Sequence, residues 1–570
     1  MKGMKKGLAQ YGDAGFSLFL RKAFIKAMGY SDDALDRPIV GITDTYSSYN
    51  ACHRNVPELI DAIKRGVMLA GGLPIDFPII SIHESFSHPT SMFLRNLMAM
   101  AAEEMIRAQP MDAVVLIGGC DKTVPALLMG AASADVPAIL TVTGPMITGS
   151  HKGERLGACT DCRRLWGKHR AGQIDQAEID EINDQLAPGP GTCMVMGTAS
   201  TMALCAEALG MMLPGGACIP AVHADRLRHG EATGARAVAM AKEDLRPSKI
   251  MTKEAFDNAL RVLQAIGGST NGLIHLAAMA GRLGIDIDYA AFDRMGVETP
   301  VLVDLKPSGQ HYMEDLHKAG GLGPILREIE ADLNTQCLTV TGGTLASTIP
   351  RTRPGWKQDV VRPVSDPIHK GGGLRVLRGN LAPNGALIKQ AAATKRLLKH
   401  EGRAVVFKSL ADMADRIDSP DLDVTADDVL VLQNAGPKGA PGMPEAGYLP
   451  IPKKLAVAGV TDMVRLSDAR MSGTAFGTIV LHISPECADG GPLALVRDGD
   501  RIALDVEAGM IELRVDAATL AERRKGWSAP VRPARGYYGL YFDEVLQAEH
   551  GCDFNFLRRE PLAGRGRSGV

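Results

Sequence analysis

The stretch Ala113-Val-Val-Leu-Ile-Gly-Gly-Cys-Asp-Lys-Thr-Val-Pro125 constrains the fold more than any other. Residues 113 to 117 form a short, continuous, β-branched run, which reads as a strand buried on both faces of a parallel sheet. Gly118 and Gly119 end it, Thr123 offers a helix cap, and Pro125 suits the first turn of a helix. Cys120, Asp121 and Lys122 are therefore confined to a tight strand-to-helix loop. That loop lies at the carboxyl end of a sheet strand, where open α/β folds bind ligands. Taken alone it is only a hint of a site, because a single cysteine after a strand usually packs and adjacent Asp and Lys usually form a solvated turn.

The flanking segments repeat the pattern. Residues 38 to 43 read as a strand, Asn55 caps a helix with Pro57 in its first turn, and Leu59, Ile60, Ile63 and Val67 keep helical spacing until Gly71 and Gly72. A strand is expected at 77 to 82, delivering His83 and Glu84, then a helix over 90 to 107 and a strand at 137 to 142. Alternating strands and helices predict a parallel sheet flanked by helices, an α/β fold. From Gly144 to Gly191 the chain is rich in glycine and charge, with one helical patch near 174 to 186. Gly191-Thr-Cys193 reads as the opening of a long helix, and a helix over 254 to 266 hands over to Ser269 as the next cap.

After Gly371-Gly372-Gly373 strands dominate, at 404 to 407, 429 to 432, 479 to 483, 502 to 506 and 511 to 515. The reading is a large α/β domain over 1–370 and a smaller, mainly β, barrel-like domain over 371–570. With 63 basic and 65 acidic residues and a formal net charge of −2, nothing marks the chain for nucleic acid or an anionic membrane surface. No apolar run reaches the roughly 18 residues that span a bilayer, and the basic start from Met1 to Lys6 leads into Gln10, Tyr11 and Gly12 rather than a signal core. A cytoplasmic protein acting on a small molecule is expected.

Ten cysteines in 570 residues make no disulfide framework. Cys52, Cys120 and Cys193 stand at loop or helix-entry positions, but their spacing matches no compact iron-sulfur motif and by itself favours buried thiols. Cys159 and Cys162 form the one Cys-x-x-Cys of the chain, without a preceding strand or a partner pair for zinc, and read as structural. Cys205 and Cys218 read as core. Glu84, Asp121 and Glu445 each end an apolar strand or sit among Gly and Pro, and hard oxygen donors of this kind suit Mg²⁺.

Cys120-Asp-Lys-Thr-Val-Pro-Ala126, with Gly130 after it, resembles the signature of the dihydroxy-acid and sugar-acid dehydratase family, which includes phosphogluconate dehydratase. Arg465-Leu-Ser-Asp-Ala-Arg-Met-Ser-Gly-Thr474 resembles its second signature, with Ser467 where threonine is commoner. The likeness extends from Pro38-Ile-Val-Gly-Ile to His482-Ile-Ser-Pro-Glu486 and Gly491 to Asp498. It implies an iron-sulfur cluster on Cys52, Cys120 and Cys193, two-iron rather than four-iron, with one iron position open to substrate. It implies Mg²⁺ on Glu84, Asp121, Glu445 and Lys122, the lysine converted to a carbamate because an ammonium has no donor electron pair to offer a cation. Ser472 matches the position used as base, and Thr474 is a candidate for handing a proton to the leaving hydroxyl.

The implied reaction is dehydration of a 2,3-dihydroxy sugar acid to a 2-keto-3-deoxy acid by a hydro-lyase that assembles as a homodimer or homotetramer. The tail Gly536-Tyr-Tyr-Gly-Leu-Tyr-Phe-Asp-Glu-Val-Leu-Gln-Ala548, with Gly551 to Phe556, and the pair His53-Arg54 resemble the arabinonate/xylonate-type sugar-acid branch. Glu544 departs from that branch, where histidine is expected. The alternatives are a dihydroxy-acid dehydratase of branched-chain amino-acid synthesis and, from another class, a non-catalytic iron-sulfur protein. The lack of a fourth cysteine ligand argues against the latter.

Overall fold

A computed structural model describes residues 3–350 and 356–560. Met1 and Lys2, part of the basic start, lie outside the described residues. Four strands, β1 (Ile39–Asp44), β2 (Leu73–Pro78), β3 (Ala113–Gly118) and β4 (Ala138–Val142), form a parallel sheet in the order β2-β1-β3-β4. All six residues of β3 are buried, as its unbroken apolar run requires of a central strand. Helices flank the sheet in two pairs, Val56–Leu69 with Ala224–Glu243 and Ser91–Ala108 with Thr123–Ala134.

The second strand differs from the expectation. β1 ends at Asp44, whose partner on β2 is Pro78, so after a last bond from Ile79 N–H to Asp44 C=O at 2.8 Å the ladder has nothing to pair with residues 80 to 82. Residues 79 to 82 continue as an extended segment with Ile79 and Ile82 buried, while Pro74 and Pro78 are tolerated because β2 is an edge strand. The helix expected at Gly191 begins at Thr198 instead. Its would-be first turn pairs with the loop after β4, Thr192 N–H donating to Gly144 C=O and Met146 N–H to Thr192 C=O, both at 2.9 Å. Thr123 is the first helical residue rather than the cap, and its hydroxyl folds back to accept from Gly119 N–H at 3.0 Å. The Gly- and charge-rich excursion carries the hairpin β5 (Gly149–His151) and β6 (Glu154–Leu156), then two helices, Asp161–Arg170 and Gln176–Leu186, where one was expected.

The second half closes into an eight-stranded mixed barrel of β7 (Arg375–Gly379), β8 (Ala382–Ile388), β9 (Lys399–Phe407), β10 (Val429–Leu432), β11 (Arg465–Ser467), β12 (Ile479–Ser484), β13 (Arg501–Asp505) and β14 (Met510–Leu513). Their order around it is β10-β11-β12-β8-β7-β14-β13-β9. Alternation decides the two faces: Val429, Val431 and Val406 join one apolar cluster with Leu466, Val480 and Leu504, whereas Leu430, Leu432 and Phe407 join another with Ile417 and Met463.

The C-terminal tail returns to the first half. Tyr537, Tyr538 and Tyr541 surround Phe93 with centroids 4.6–4.8 Å away, Arg95 donates to the carbonyls of Gly551 and Cys552, and Arg282 pairs with fully buried Asp553 at 2.6 Å. No helix among the described residues is long and apolar enough to cross a membrane.

Candidate active site

The loops at the carboxyl ends of β1, β2 and β3 meet. The first contributes Cys52 and His53 in the short turn Ala51–His53, the second His83 and Glu84, and the third Cys120, Asp121 and Lys122. Donor atoms of Cys52, His83 and Cys120 lie within 4.8 Å of one another, and so do carboxylate oxygens of Glu84, Asp121 and Glu445. Glu445 opens a turn, Glu445–Tyr448, after β10, so the second group joins the two halves of the chain. Both groups line one cavity of about 1240 Å³, together with Cys193, Ser472 and Thr474.

The third predicted thiolate ligand stands apart from the first two. Cys193 faces the same cavity but is not within the Cys52–His83–Cys120 group, and its sulfur lies 3.0 Å from that of Cys159. Cys159 and Cys162 both line the cavity, at the start of the helix Asp161–Arg170 that sequence reasoning had not found. Cys205 and Cys218 are buried in the core, as expected.

His53, marked in the sequence only as a branch feature, is fully buried and organises the Cys120 loop. Its Nε2 accepts from Cys120 N–H at 3.0 Å, and Nδ1 lies 2.8 Å from Thr45 Oγ1, which donates to Ile117 C=O. Burial lowers the ring to about 3, so it stays neutral and able to accept. A side chain at Gly119 would overlap Thr143 Oγ1 and crowd His53, which is why glycine stands there. A hydrogen bond from Cys120 pulls the Cys52 thiol down to about 6 against its burial, and the same contact raises Cys120. Burial opposes a charge on His83, but Cys52 and the carboxylates of Asp121 and Glu84 outweigh it and raise the ring.

Two buried cations face the three carboxylates. Lys122, fully buried, pairs with Asp121 and reaches Glu84 at 3.7 Å. Arg470, also fully buried, donates to Glu445 at 2.6 Å, to both oxygens of Glu84 at 2.9 Å, and to Thr90 Oγ1 at 2.7 Å. Burial raises Glu84, yet Arg470 and Lys122, with hydrogen bonds from Ser91 and Thr90, hold it well below the usual carboxylate range. Glu445 is raised by burial and by Glu84, with Arg470 opposing. Arg163, less buried, also reaches Glu445, at 4.0 Å, so three cations face three carboxylates, whose oxygens are the hard donors that a divalent cation takes. The residues therefore fit a Mg²⁺ site, and cysteines on facing loops of one cavity fit a cluster.

Ser472 and Thr474 lie between β11 and β12. Their hydroxyls are 2.7 Å apart, Thr474 Oγ1 donates to Cys159 C=O at 3.1 Å, and Arg163 donates to Thr474 Oγ1 at 3.1 Å. The turn is held on every side: Asn271 donates to Met471 C=O, Lys389 to Gly473 C=O at 2.9 Å, and Thr160 to Thr474 C=O at 2.9 Å. A side chain at Gly473 would overlap Ser269. Ser467 uses its hydroxyl structurally, donating to Leu432 C=O and accepting from Ala469 N–H, both at 3.0 Å. Glu544 ends the helix Gly536–Glu544 and is not among the residues that line the cavity.

Residues 37–348 match the family described as dihydroxy-acid/6-phosphogluconate dehydratase, N-terminal, and residues 359–552 match its C-terminal counterpart. The chain is 48% identical to an L-arabonate dehydratase of Azospirillum brasilense over 95% of this chain and 94% of that protein. It is 44% identical to a 6-deoxy-6-sulfo-D-gluconate dehydratase of Pseudomonas putida over 92% of each. A dihydroxy-acid dehydratase of Syntrophobacter fumaroxidans is 38% identical over 93% of this chain and 96% of its own length.

Proposed function

The chain belongs to the dihydroxy-acid/6-phosphogluconate dehydratase family, and from that premise we propose that it removes water from a 2,3-dihydroxy sugar acid to leave a 2-keto-3-deoxy acid. The observation that carries this reading is the shared cavity, in which the carboxylate group, the cysteines and Ser472 face one another. Greater identity to sugar-acid dehydratases than to the dihydroxy-acid enzyme supports the substrate class.

Cys52, Cys120 and Cys193 are the residues proposed to hold an iron-sulfur cluster, two-iron in this reading. Glu84, Asp121, Glu445 and a carbamate of Lys122 are proposed to hold Mg²⁺. When bound, these groups supply Lewis acidity toward the substrate's oxygens. Ser472 takes the proton from C2, and its hydroxyl is oriented for this by the contact with Thr474. Thr474, fixed by Arg163 and by the Cys159 carbonyl, is the proposed donor of a proton to the departing C3 hydroxyl. Loss of the C2 proton and the C3 hydroxyl leaves an enol, which ketonises. Arg470 holds Glu84 ionised and ready as a donor, and opposes the rise that burial imposes on Glu445.

Turnover is tested with pentonates, hexonates, their 6-sulfo and 6-phospho forms, and a branched-chain dihydroxy acid, read out as keto acid. The reading expects the best kcat/KM on a sugar acid. Best turnover of the branched-chain acid replaces it with the biosynthetic alternative, and redox cycling without any keto acid overturns the enzyme reading. We also propose assembly into a homodimer or homotetramer in the cytoplasm. Supporting assembly, the helix Ala14–Ala27 leaves Phe16, Phe19 and Phe24 between 47% and 69% exposed, an apolar face that a second copy can cover.

A further inference from the structure

Cys159 and Cys193 come from separate segments, yet their sulfurs are 3.0 Å apart and both are free thiols. Each is held by its surroundings. Cys159 has a φ of 76°, in the left-handed region that a residue with a side chain rarely adopts, and its carbonyl accepts from Arg163 at 2.8 Å and from Thr474. Just beyond it, buried Asp161 accepts from Gly157 N–H at 2.8 Å and from Lys306 at 3.0 Å. On the other side, residues 192 and 194 are tied to the loop after β4 and to Met313 N–H. A backbone held in an uncommon conformation that brings two sulfurs together at a cavity wall is an observation that packing alone does not require.

We propose that Cys159 and Cys193 form a reversible disulfide when the thiolate pocket carries no cluster, shielding Cys193 from irreversible oxidation. A disulfide needs the sulfurs about 2.05 Å apart, so the two must approach by about 1 Å. Hydrogen peroxide is the oxidant. One thiolate attacks it, an S–O bond forms as the O–O bond breaks, and water leaves. The second sulfur then displaces the hydroxyl as a second water, so two thiols and one peroxide give one disulfide and two waters. A dithiol reverses the bond and returns Cys193. The shielding of a cluster ligand rests on the cluster reading above, whereas formation of the bond does not.

The full-length protein is treated with hydrogen peroxide, alkylated and digested without reductant. The expected result is a Cys159–Cys193 linked peptide that a dithiol removes, absent from Cys159→Ser and retained in Cys162→Ser. Recovery of both cysteines alkylated, or of Cys159 joined to Cys162, overturns the proposal. In the second arm, oxidised parent and Cys159→Ser are reduced and given iron and sulfide. The parent should regain cluster absorbance, and the variant should regain several-fold less, with sulfinic acid at Cys193. Equal recovery overturns the shielding. If untreated protein of either kind develops no cluster absorbance, the cluster reading fails while the linked peptide still decides the bond.

Discussion

Arg470 is buried among carboxylates that arrive from both halves of the chain, and its guanidinium bonds to both Glu84 and Glu445. Its position inside the second signature was visible in the sequence, but its role was not, because its partner Glu84 lies 386 residues away. Ser472 is the proposed base. We expect Ser472→Ala to keep fold and iron content while losing about 10²- to 10⁴-fold in kcat, measured with a good sugar-acid substrate. Near-parental turnover with intact cluster absorbance removes Ser472 as the base. Lys389 gives a pH-dependent expectation. Burial lowers its ammonium from the ordinary 10.5 to about 7, so between those values the unfolded chain holds a proton that the folded chain has released. Stability owed to this position therefore rises with pH through that window, by at most about 1.4 kcal/mol per unit. Denaturant titrations from pH 7 to 10 should show Lys389→Met losing its advantage over the parent as pH rises.

The strand-to-helix element after β3 was legible from sequence because its parts are contiguous: an apolar run, two glycines, the reactive loop and the helix start. The segment before Thr198 was not, since its backbone bonds go to the loop after β4 rather than to its own next turn, and local propensity carries no record of such a partner. The helix Asp161–Arg170, which follows Cys159 and carries Cys162 and Arg163 into the cavity, was hidden for another reason: Leu165 and Trp166 are adjacent in a run of charged residues and give no helical apolar spacing. The turn bearing Ser472 depends on close approach to the helix Thr270–Gly281, whose cap is Ser269. Gly473→Ala should displace that turn: we expect kcat to fall by at least about tenfold, the effect of a roughly 1.4 kcal/mol loss, with iron content unchanged. Parental kcat in Gly473→Ala would show that the turn is not held by this contact.

At the scale of the whole molecule, the tail binds the halves together. Arg282→Met leaves Asp553 buried without its cation, and unfolding measurements should show a loss of about 3–5 kcal/mol. Light scattering should give a multiple of the 60.6 kDa chain mass, and Phe19→Glu with Phe24→Glu should shift it toward a single chain. An unchanged mass in that variant would remove the helix Ala14–Ala27 from the interface. By itself the sequence determined the alternation of strands and helices, the change to β structure after Gly373, and the short runs that hold Cys120, Glu84, Glu445 and Ser472. These are local properties, set by periodicity, turn residues and neighbouring side chains. Only the tertiary structure decided which of them meet. It put Arg470 between two carboxylates, Cys159 rather than Cys52 or Cys120 beside Cys193, and neutral His53 beneath the Cys120 loop. Each of these contacts joins segments whose approach depends on how sheet, barrel and tail pack, and no local pattern encodes that packing.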